Sequence, residues 1–154
     1  MVEEAILVML VSASPLSELR GGIPLGISLG LPPLWVFLLA VAANILVFFP
    51  VFFALELSHK VLLARIPFFP SYIQRVRNRG RPLVRKHGFL GLALFVAVPL
   101  PLTGVYSGTV LSWLMGMDLK KSSLAIGLGA LMAGIVVFSL TMGAKTGLEY
   151  LFPD

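Results

Sequence analysis

Two long apolar runs lie in this chain, one at residues 34–57 and one at residues 122–142. The first is interrupted by Asn44 and Pro50, and the second carries no charged residue. A helix that crosses a bilayer needs about 20 predominantly apolar residues, and both runs reach that length. The pattern therefore predicts two membrane-spanning helices.

Four shorter apolar runs come in two pairs, and each pair surrounds a stretch rich in proline and glycine. One pair flanks residues 14–26 and the other flanks residues 99–108. Each run is about half a spanning length, and runs of about 10–14 apolar residues are typical of re-entrant or interfacial segments. Each pair therefore predicts a re-entrant helical hairpin, which enters the membrane and returns to the same side.

The order of these elements predicts one motif used twice. It runs as a re-entrant hairpin at 5–31, a spanning helix at 34–57, a basic segment at 58–88, a second hairpin at 89–117 and a second spanning helix at 119–142. Each hairpin-plus-helix unit crosses the membrane once, so the second unit is inverted relative to the first. The predicted fold is an all-α integral membrane protein with two inverted-topology repeats and a basic interfacial helical segment. Four plain spanning helices with proline kinks are the alternative.

The composition supports a membrane protein and argues against an enzyme. Of the 154 residues, 58% are hydrophobic and 12% are charged, and the mean hydropathy is +0.97. A soluble domain of this length could not bury so many apolar residues. The chain has no cysteine, no nucleotide-binding GxxxxGK[ST] motif, no catalytic serine motif and no HExxH motif. We therefore expect no catalytic activity, no cofactor and no metal site.

The segment at 58–88 contains lysine and arginine but no acidic residue. Segments of this kind stay on the cytoplasmic side of a cell membrane, here expected to be of the prokaryotic type. Re-entrant hairpins would return residues 118–121, with Lys120 and Lys121, to the cytoplasmic side and would leave both termini outside. Four plain spanning helices would instead place these two lysines outside.

Aromatic and apolar residues lie among the arginines of this segment, as in helices that rest on anionic lipid headgroups. We expect headgroup contacts from Arg75, Arg77, Arg79, Arg81, Arg85 and Lys86. A topology anchor with no specific ligand is the alternative. Because the positive charge lies beside the membrane, we expect no nucleic-acid partner.

The first proline- and glycine-rich break carries Glu18 and Arg20. Ionisable groups at membrane depth are costly, and their usual role is in transport or binding. Glu18 is a candidate proton carrier, and the planar guanidinium of Arg20 suits a phosphate or carboxylate. A helix that starts near Ile23 and Pro24 would also point its positive end toward an anion. The alternative is that Glu18 and Arg20 only tie the hairpins together.

Further candidates for this substrate and proton site come from both breaks and from the first spanning helix. They are Gly21, Gly22, Pro24 and Asn44, together with Pro99, Pro101, Thr103, Gly104, Tyr106, Ser107 and Gly108. The hydroxyls of Thr103 and Ser107 either line the site or cap the helix that follows. The amide of Asn44 either bonds another helix or faces the cavity.

Residues 18–26 and 95–108 together resemble the putative small multi-drug export protein family, and the similarity runs through nearly the whole chain. The common form of the second motif has Pro-Gly-Thr-Gly where this chain has residues 101–104, so Leu102 replaces a glycine. The resemblance implies transport without fixing a substrate. The organisation is also similar to that of the more distant DedA superfamily, whose members have paired re-entrant hairpins and are associated with lipid translocation.

These observations predict a secondary transporter or lipid translocase whose site is formed by the two hairpin tips. Glu18 would carry a proton, and Arg20 with both tips would hold an anionic headgroup such as a lipid phosphate. One alternative is proton-coupled export of small drugs, and another is a membrane scaffold or assembly factor without transport. The expected partners are anionic membrane lipids, protons and further copies of the chain in a homodimer or higher oligomer.

The hairpin topology can be tested because the chain has no cysteine of its own. Separate Lys120→Cys and Arg77→Cys variants are expected to react with a membrane-impermeant thiol reagent from the same side of oriented vesicles, because both positions lie in cytoplasmic segments. The cysteine-free parent is the control. Reaction from opposite sides would exclude the re-entrant hairpins.

Overall fold

The computed structural model describes residues 2–57, 69–98 and 103–151. The helices of these residues are α1 Val2–Ala13, α2 Glu18–Ser28, α3 Pro33–Leu46, α4 Phe48–Leu57, α5 Phe69–Ala97, α6 Val105–Leu114 and α7 Leu119–Leu151. No strand occurs within the described ranges, so the all-α class is confirmed. The re-entrant path of the hairpins and the inverted repeat stay predictions.

Two stretches are long and apolar enough to cross a membrane, Pro33–Leu57 and Leu119–Leu148. By length and apolar composition, the two predicted spanning segments are confirmed. The first is interrupted at Val47, which separates α3 from α4. Proline has no N–H, so Pro50 cannot donate to the carbonyl of Leu46, and its ring crowds that carbonyl. The helix therefore ends and restarts at this point.

The chain divides into two compact units. Unit 1 contains Met1–Asn44 and Met132–Asp154, and unit 2 contains Ile45–Leu131. Each unit is described by itself. Helices α1 and α2 belong to unit 1, whereas α4, α5 and α6 belong to unit 2.

In unit 1, α1 and α2 pack side by side and are joined by a short turn. The contact depends on Gly22 and Gly26, which lie four residues apart on one face of α2. A Cβ atom on Gly22 would overlap the hydroxyl of Ser12. A Cβ atom on Gly26 would lie 2.6 Å from Val36 and 2.8 Å from Val8. These glycines therefore let α1 and α3 approach the backbone of α2, as small residues do between membrane helices.

In unit 2, α6 is buried along most of its length and packs against α4 and α5. Its Gly108 faces Val96 of α5, where an added Cβ would lie 2.5 Å away. Helix α5 is broken at Gly88, with φ 54° and ψ −122°, a backbone conformation that only glycine adopts readily. Gly91 consequently lies against the carbonyl of Leu83, so the chain bends back on itself at the break.

The part of α5 before Gly88 is one continuous helix despite the proline and glycine residues that it contains. Pro70 lies in the first turn, where a missing N–H removes no helical hydrogen bond. Gly80 is retained in the helix because it packs on the side chain of Leu111 in α6. Tertiary contact therefore overrides the low helix propensity of glycine.

The close packing at Gly26 generates a stability prediction. Gly26→Ala should lower the free energy of unfolding by about 1–3 kcal/mol, because the new methyl group would push Val8 and Val36 apart. Gly127→Ala is the matched control, since a Cβ there meets no atom within 4 Å. Unfolding of the purified chain in detergent, followed by circular dichroism, measures both variants. Equal stability of the two variants would contradict this packing.

Candidate functional site

The first break, at residues 14–26, begins with a turn whose backbone groups are hydrogen-bonded. The N–H of Glu18 donates to the carbonyl of Ser14 (2.9 Å), and the N–H of Gly21 donates to that of Ser17 (3.2 Å). The hydroxyl of Ser17 donates to the carbonyl of Val11 (2.7 Å). These bonds let α2 begin at Glu18, so the predicted helix start near residue 23 is wrong.

Pro24 consequently lies inside α2 rather than at its first turn. It has no N–H to donate to the carbonyl of Arg20, so one rung of the helical ladder is missing beside the candidate site. Residues 18–22 are therefore helical, with a gap in the hydrogen bonds of the helix at Arg20.

Glu18 combines burial with an unusual backbone conformation. Only 7% of its surface is exposed, and its φ of 50° lies in the left-handed region. Such a conformation costs a residue other than glycine about 1–3 kcal/mol and occurs at turns and at functional sites. The carboxylate also lies at the first turn of α2, where the helix dipole favours a negative charge.

Arg20 is half-buried, and its guanidinium is attracted by the carboxylate of Glu18. Side chains two residues apart do not face each other on a regular helix. That rule assumes regular helical dihedrals, and Glu18, the first residue of α2, has a φ of 50°. Within unit 1, the negative charge of Glu18 therefore offsets part of the cost of burying the guanidinium of Arg20.

The neighbouring glycines serve the packing of α2. A Cβ atom on Gly21 would lie 2.7 Å from the Cβ of Ser17, and Gly22 faces Ser12 of α1. Their absent side chains bring the hairpin backbones together next to Glu18. Gly21 and Gly22, which the sequence predicted as site residues, therefore have a packing role at the edge of the site.

Two buried polar atoms on uncharged side chains of unit 1 have no hydrogen-bond partner among the described residues. They are the hydroxyl oxygen of Ser12 and the Oδ1 of Asn44. Ser12 is fully buried, and Asn44 is 1% exposed. The sequence prediction included Asn44 and missed Ser12. A signal for Ser12 exists in its i, i+4 spacing from the buried Val8, which places it on the face of α1 that meets α2.

In unit 2, two hydroxyl groups of the second break, those of Thr103 and Ser107, have hydrogen-bond partners. Pro99 and Pro101 lie outside the described residues. The hydroxyl of Thr103 donates a hydrogen bond to the carbonyl of Val98, and this bond links the two ends of the segment between them. Gly104, with φ 125°, occupies the N-cap of α6, and no side chain caps this helix. Of the two alternatives for the hydroxyls of Thr103 and Ser107, capping of this helix is therefore wrong.

Ser107 bonds across unit 2 rather than capping its own helix. Its hydroxyl lies 2.8 Å from that of Tyr72 on α5, in a hydrogen bond that either group can donate. Ser107 is buried, and Tyr72 and Tyr106 are half-buried. This bond attaches the first turn of α6 to the basic part of α5. The joint site predicted for the two tips stays a prediction.

The basic part of α5 has one buried face and one charged face. Val76, Gly80 and Val84 are buried and recur every four residues. Arg81 is half-buried, and the other predicted headgroup residues are exposed: Arg75, Arg77, Arg79, Arg85 and Lys86. Val76, one of the apolar residues that lie among the arginines, is therefore part of a row that packs inside unit 2. Lipid contact would have to come from the arginine face.

The two apolar helical stretches and the family match over most of the chain together point to an integral membrane protein. The chain belongs to the putative small multi-drug export protein family, whose sequence profile matches residues 18–136. The match begins at Glu18 and includes the second break. No curated protein and no solved structure matches the chain. The family resemblance is thus confirmed, its description indicates a protein of the transporter type, and the similarity to DedA stays a prediction.

The bond between Tyr72 and Ser107 generates a prediction for unit 2. A double-mutant cycle of Tyr72→Phe and Ser107→Ala should show a coupling of about 0.5–1.5 kcal/mol in the free energy of unfolding, the usual contribution of a hydrogen bond. A cycle of Tyr72→Phe with Ser123→Ala is the control, since Ser123 bonds the carbonyl of Lys120 in its own helix. Additive effects in both cycles would contradict the contact.

Proposed function

We propose that this protein is a proton-coupled membrane transporter that moves an anionic, phosphate-bearing lipid through a site built on Glu18 and Arg20. The observation that carries the proposal is the buried Glu18 beside the half-buried Arg20 within an apolar helical hairpin. Buried charges are expensive unless paired, so a pair retained in such surroundings suggests a role beyond stability.

The two charges suggest how a proton and an anion are coupled. While Glu18 is ionised, it neutralises Arg20 and competes with any anionic substrate. Protonation of Glu18 leaves the positive charge of Arg20 available for a phosphate, which a guanidinium binds through two parallel hydrogen bonds. A bound anion in turn favours the protonated form of Glu18. Proton and anion therefore move together in the same direction.

The buried hydroxyl of Ser12 supports a polar substrate or water near this pair. Ser12 faces Gly22, which is one helical turn beyond Glu18. Its hydroxyl has no partner among the described residues, and buried polar groups normally have one. Asn44 offers a second free acceptor in the same unit. We include a homodimer or higher oligomer in the proposal, since two spanning helices alone enclose little space.

Export of small drugs is a second candidate, and the family description favours it. A cationic drug would bind ionised Glu18 and exchange with a proton there, so drug and proton would move in opposite directions. A pH gradient therefore drives an anion and a cationic drug in opposite directions through the same site. This difference separates the two candidates experimentally.

The test is movement of headgroup-labelled anionic lipid between the leaflets of proteoliposomes with an imposed pH gradient. Glu18→Gln and Arg20→Ala should each reduce gradient-driven movement at least about tenfold, because each removes a charged partner from the site. Glu56→Gln is the matched control, since Glu56 is an exposed carboxylate at the end of α4. Circular dichroism and gel filtration report whether the variants fold.

The outcome also distinguishes the alternatives. Wild-type protein that moves no more lipid than empty liposomes, with an isoprenoid phosphate also tested, would overturn lipid transport. Gradient-driven efflux of a cationic dye that depends on Glu18 would then support drug export. Loss of folding or assembly in both variants, with no flux from the wild type, would favour a scaffold.

A further inference from the structure

A groove lies on the charged face of α5. Its lining residues are Arg77, Asn78, Arg81, Pro82 and Arg85, and its volume is about 310 Å³. The three arginines recur every four residues, so their side chains follow one side of the helix over a rise of about 12 Å. This row defines a positively charged groove, which we call the arginine groove.

The guanidinium groups of the arginine groove have unused donors. Within the described residues, no hydrogen bond or ion pair engages Arg77, Arg81 or Arg85. Residues 69–98 contain six lysine and arginine residues and no aspartate or glutamate, so α5 itself supplies no counter-charge. Three adjacent and unneutralised guanidiniums attract an anion, and phosphate matches their geometry best.

The opposite face of the helix holds the groove in place. Val76 and Val84 are buried, and Gly80 packs closely on Leu111 of α6. The hydrogen bond between Tyr72 and Ser107 fixes the beginning of the helix. The arginines therefore project from a rigid element, which lowers the entropic cost of ordering the site around a ligand.

Pro82 adds an acceptor to this set of donors. Proline has no N–H, so it cannot donate to the carbonyl of Asn78, four residues earlier in the helix. Asn78 and Pro82 both line the groove. A ligand that combines a phosphate with hydroxyl groups would use the guanidinium donors and this released carbonyl.

The position of the groove along the chain indicates the source of the phosphate. Arg85 lies three residues before Gly88, where the charged part of α5 ends and an apolar part begins. The charged part also lies between the two apolar stretches that are long enough to span the membrane. A groove at the boundary between charged and apolar helix lies at the level expected for lipid headgroups.

From these observations we propose that the arginine groove is a binding site for the headgroup of an anionic phospholipid that carries hydroxyl groups, with phosphatidylglycerol as the probe. The phosphodiester binds the guanidiniums of Arg77, Arg81 and Arg85, and the headgroup hydroxyls reach the carbonyl of Asn78. This site does not depend on Glu18 or Arg20, so its failure would leave the proposed transport function untouched.

The test measures phosphatidylglycerol retained by the purified full-length protein, using native mass spectrometry from mixed phosphatidylglycerol and phosphatidylcholine. Arg77→Gln with Arg81→Gln should weaken retention about tenfold or more relative to the wild type. The charge-matched control is Lys120→Gln with Lys121→Gln, two exposed lysines outside the groove. This control should weaken retention less than threefold, as expected for a diffuse charge effect.

A second pair of measurements keeps the proposal falsifiable. Arg77→Lys with Arg81→Lys retains the charge but loses the planar fork, so it should also weaken retention. Equal losses in the groove and control variants would overturn the site in favour of general charge attraction. Equal retention of phosphatidylcholine, or tight binding of inorganic pyrophosphate without a preference for phosphatidylglycerol, would overturn the lipid headgroup as the ligand.

Discussion

Close helix approach at glycine positions is the constraint on which both units depend. Gly22 and Gly26 let α1 and α3 reach the backbone of α2 in unit 1, and Gly108 does the same for α5 and α6 in unit 2. Apolar side chains gain little from mutual burial in a bilayer, so shape and backbone proximity have to hold the helices together. The same proximity fixes the turn that carries Glu18 and brings its carboxylate into an apolar hairpin.

Charge is distributed in two different ways around this framework. Inside unit 1, Glu18 and Arg20 attract each other, which limits the cost of their burial. On α5, the arginines face outward, and no acidic residue lies near them in sequence. An internal pair of opposite charges suits a cycle of proton and anion binding, whereas an exposed row of like charges suits a permanently anionic surface. The two charged regions therefore have separate roles in our account.

The sequence was sufficient for the spanning segments and for the position of the candidate charges, because length and hydropathy report directly on membrane insertion. The start of α2 was missed although Ser17 and Glu18 are a usual helix-start signal, because Gly21, Gly22 and Pro24 follow at once and favour a break. The role of Ser12 depends on its contact with Gly22 of α2. The sequence of α1 alone does not show which residue of α2 lies opposite Ser12. The buried row of α5 was visible in the spacing of Val76, Gly80 and Val84, but the arginines between them suggested a lipid-facing helix.

Proton-coupled transport through this site requires that anion binding at Arg20 and protonation of Glu18 be coupled. Infrared difference spectroscopy on the reconstituted protein measures this coupling, by recording the carboxyl signal before and after addition of an anionic lipid substrate at constant pH. Our account predicts that the substrate increases the protonated-carboxyl signal of the wild type and that Glu18→Gln abolishes this change. A wild-type protein that transports the substrate while the protonation of Glu18 stays constant would contradict the account.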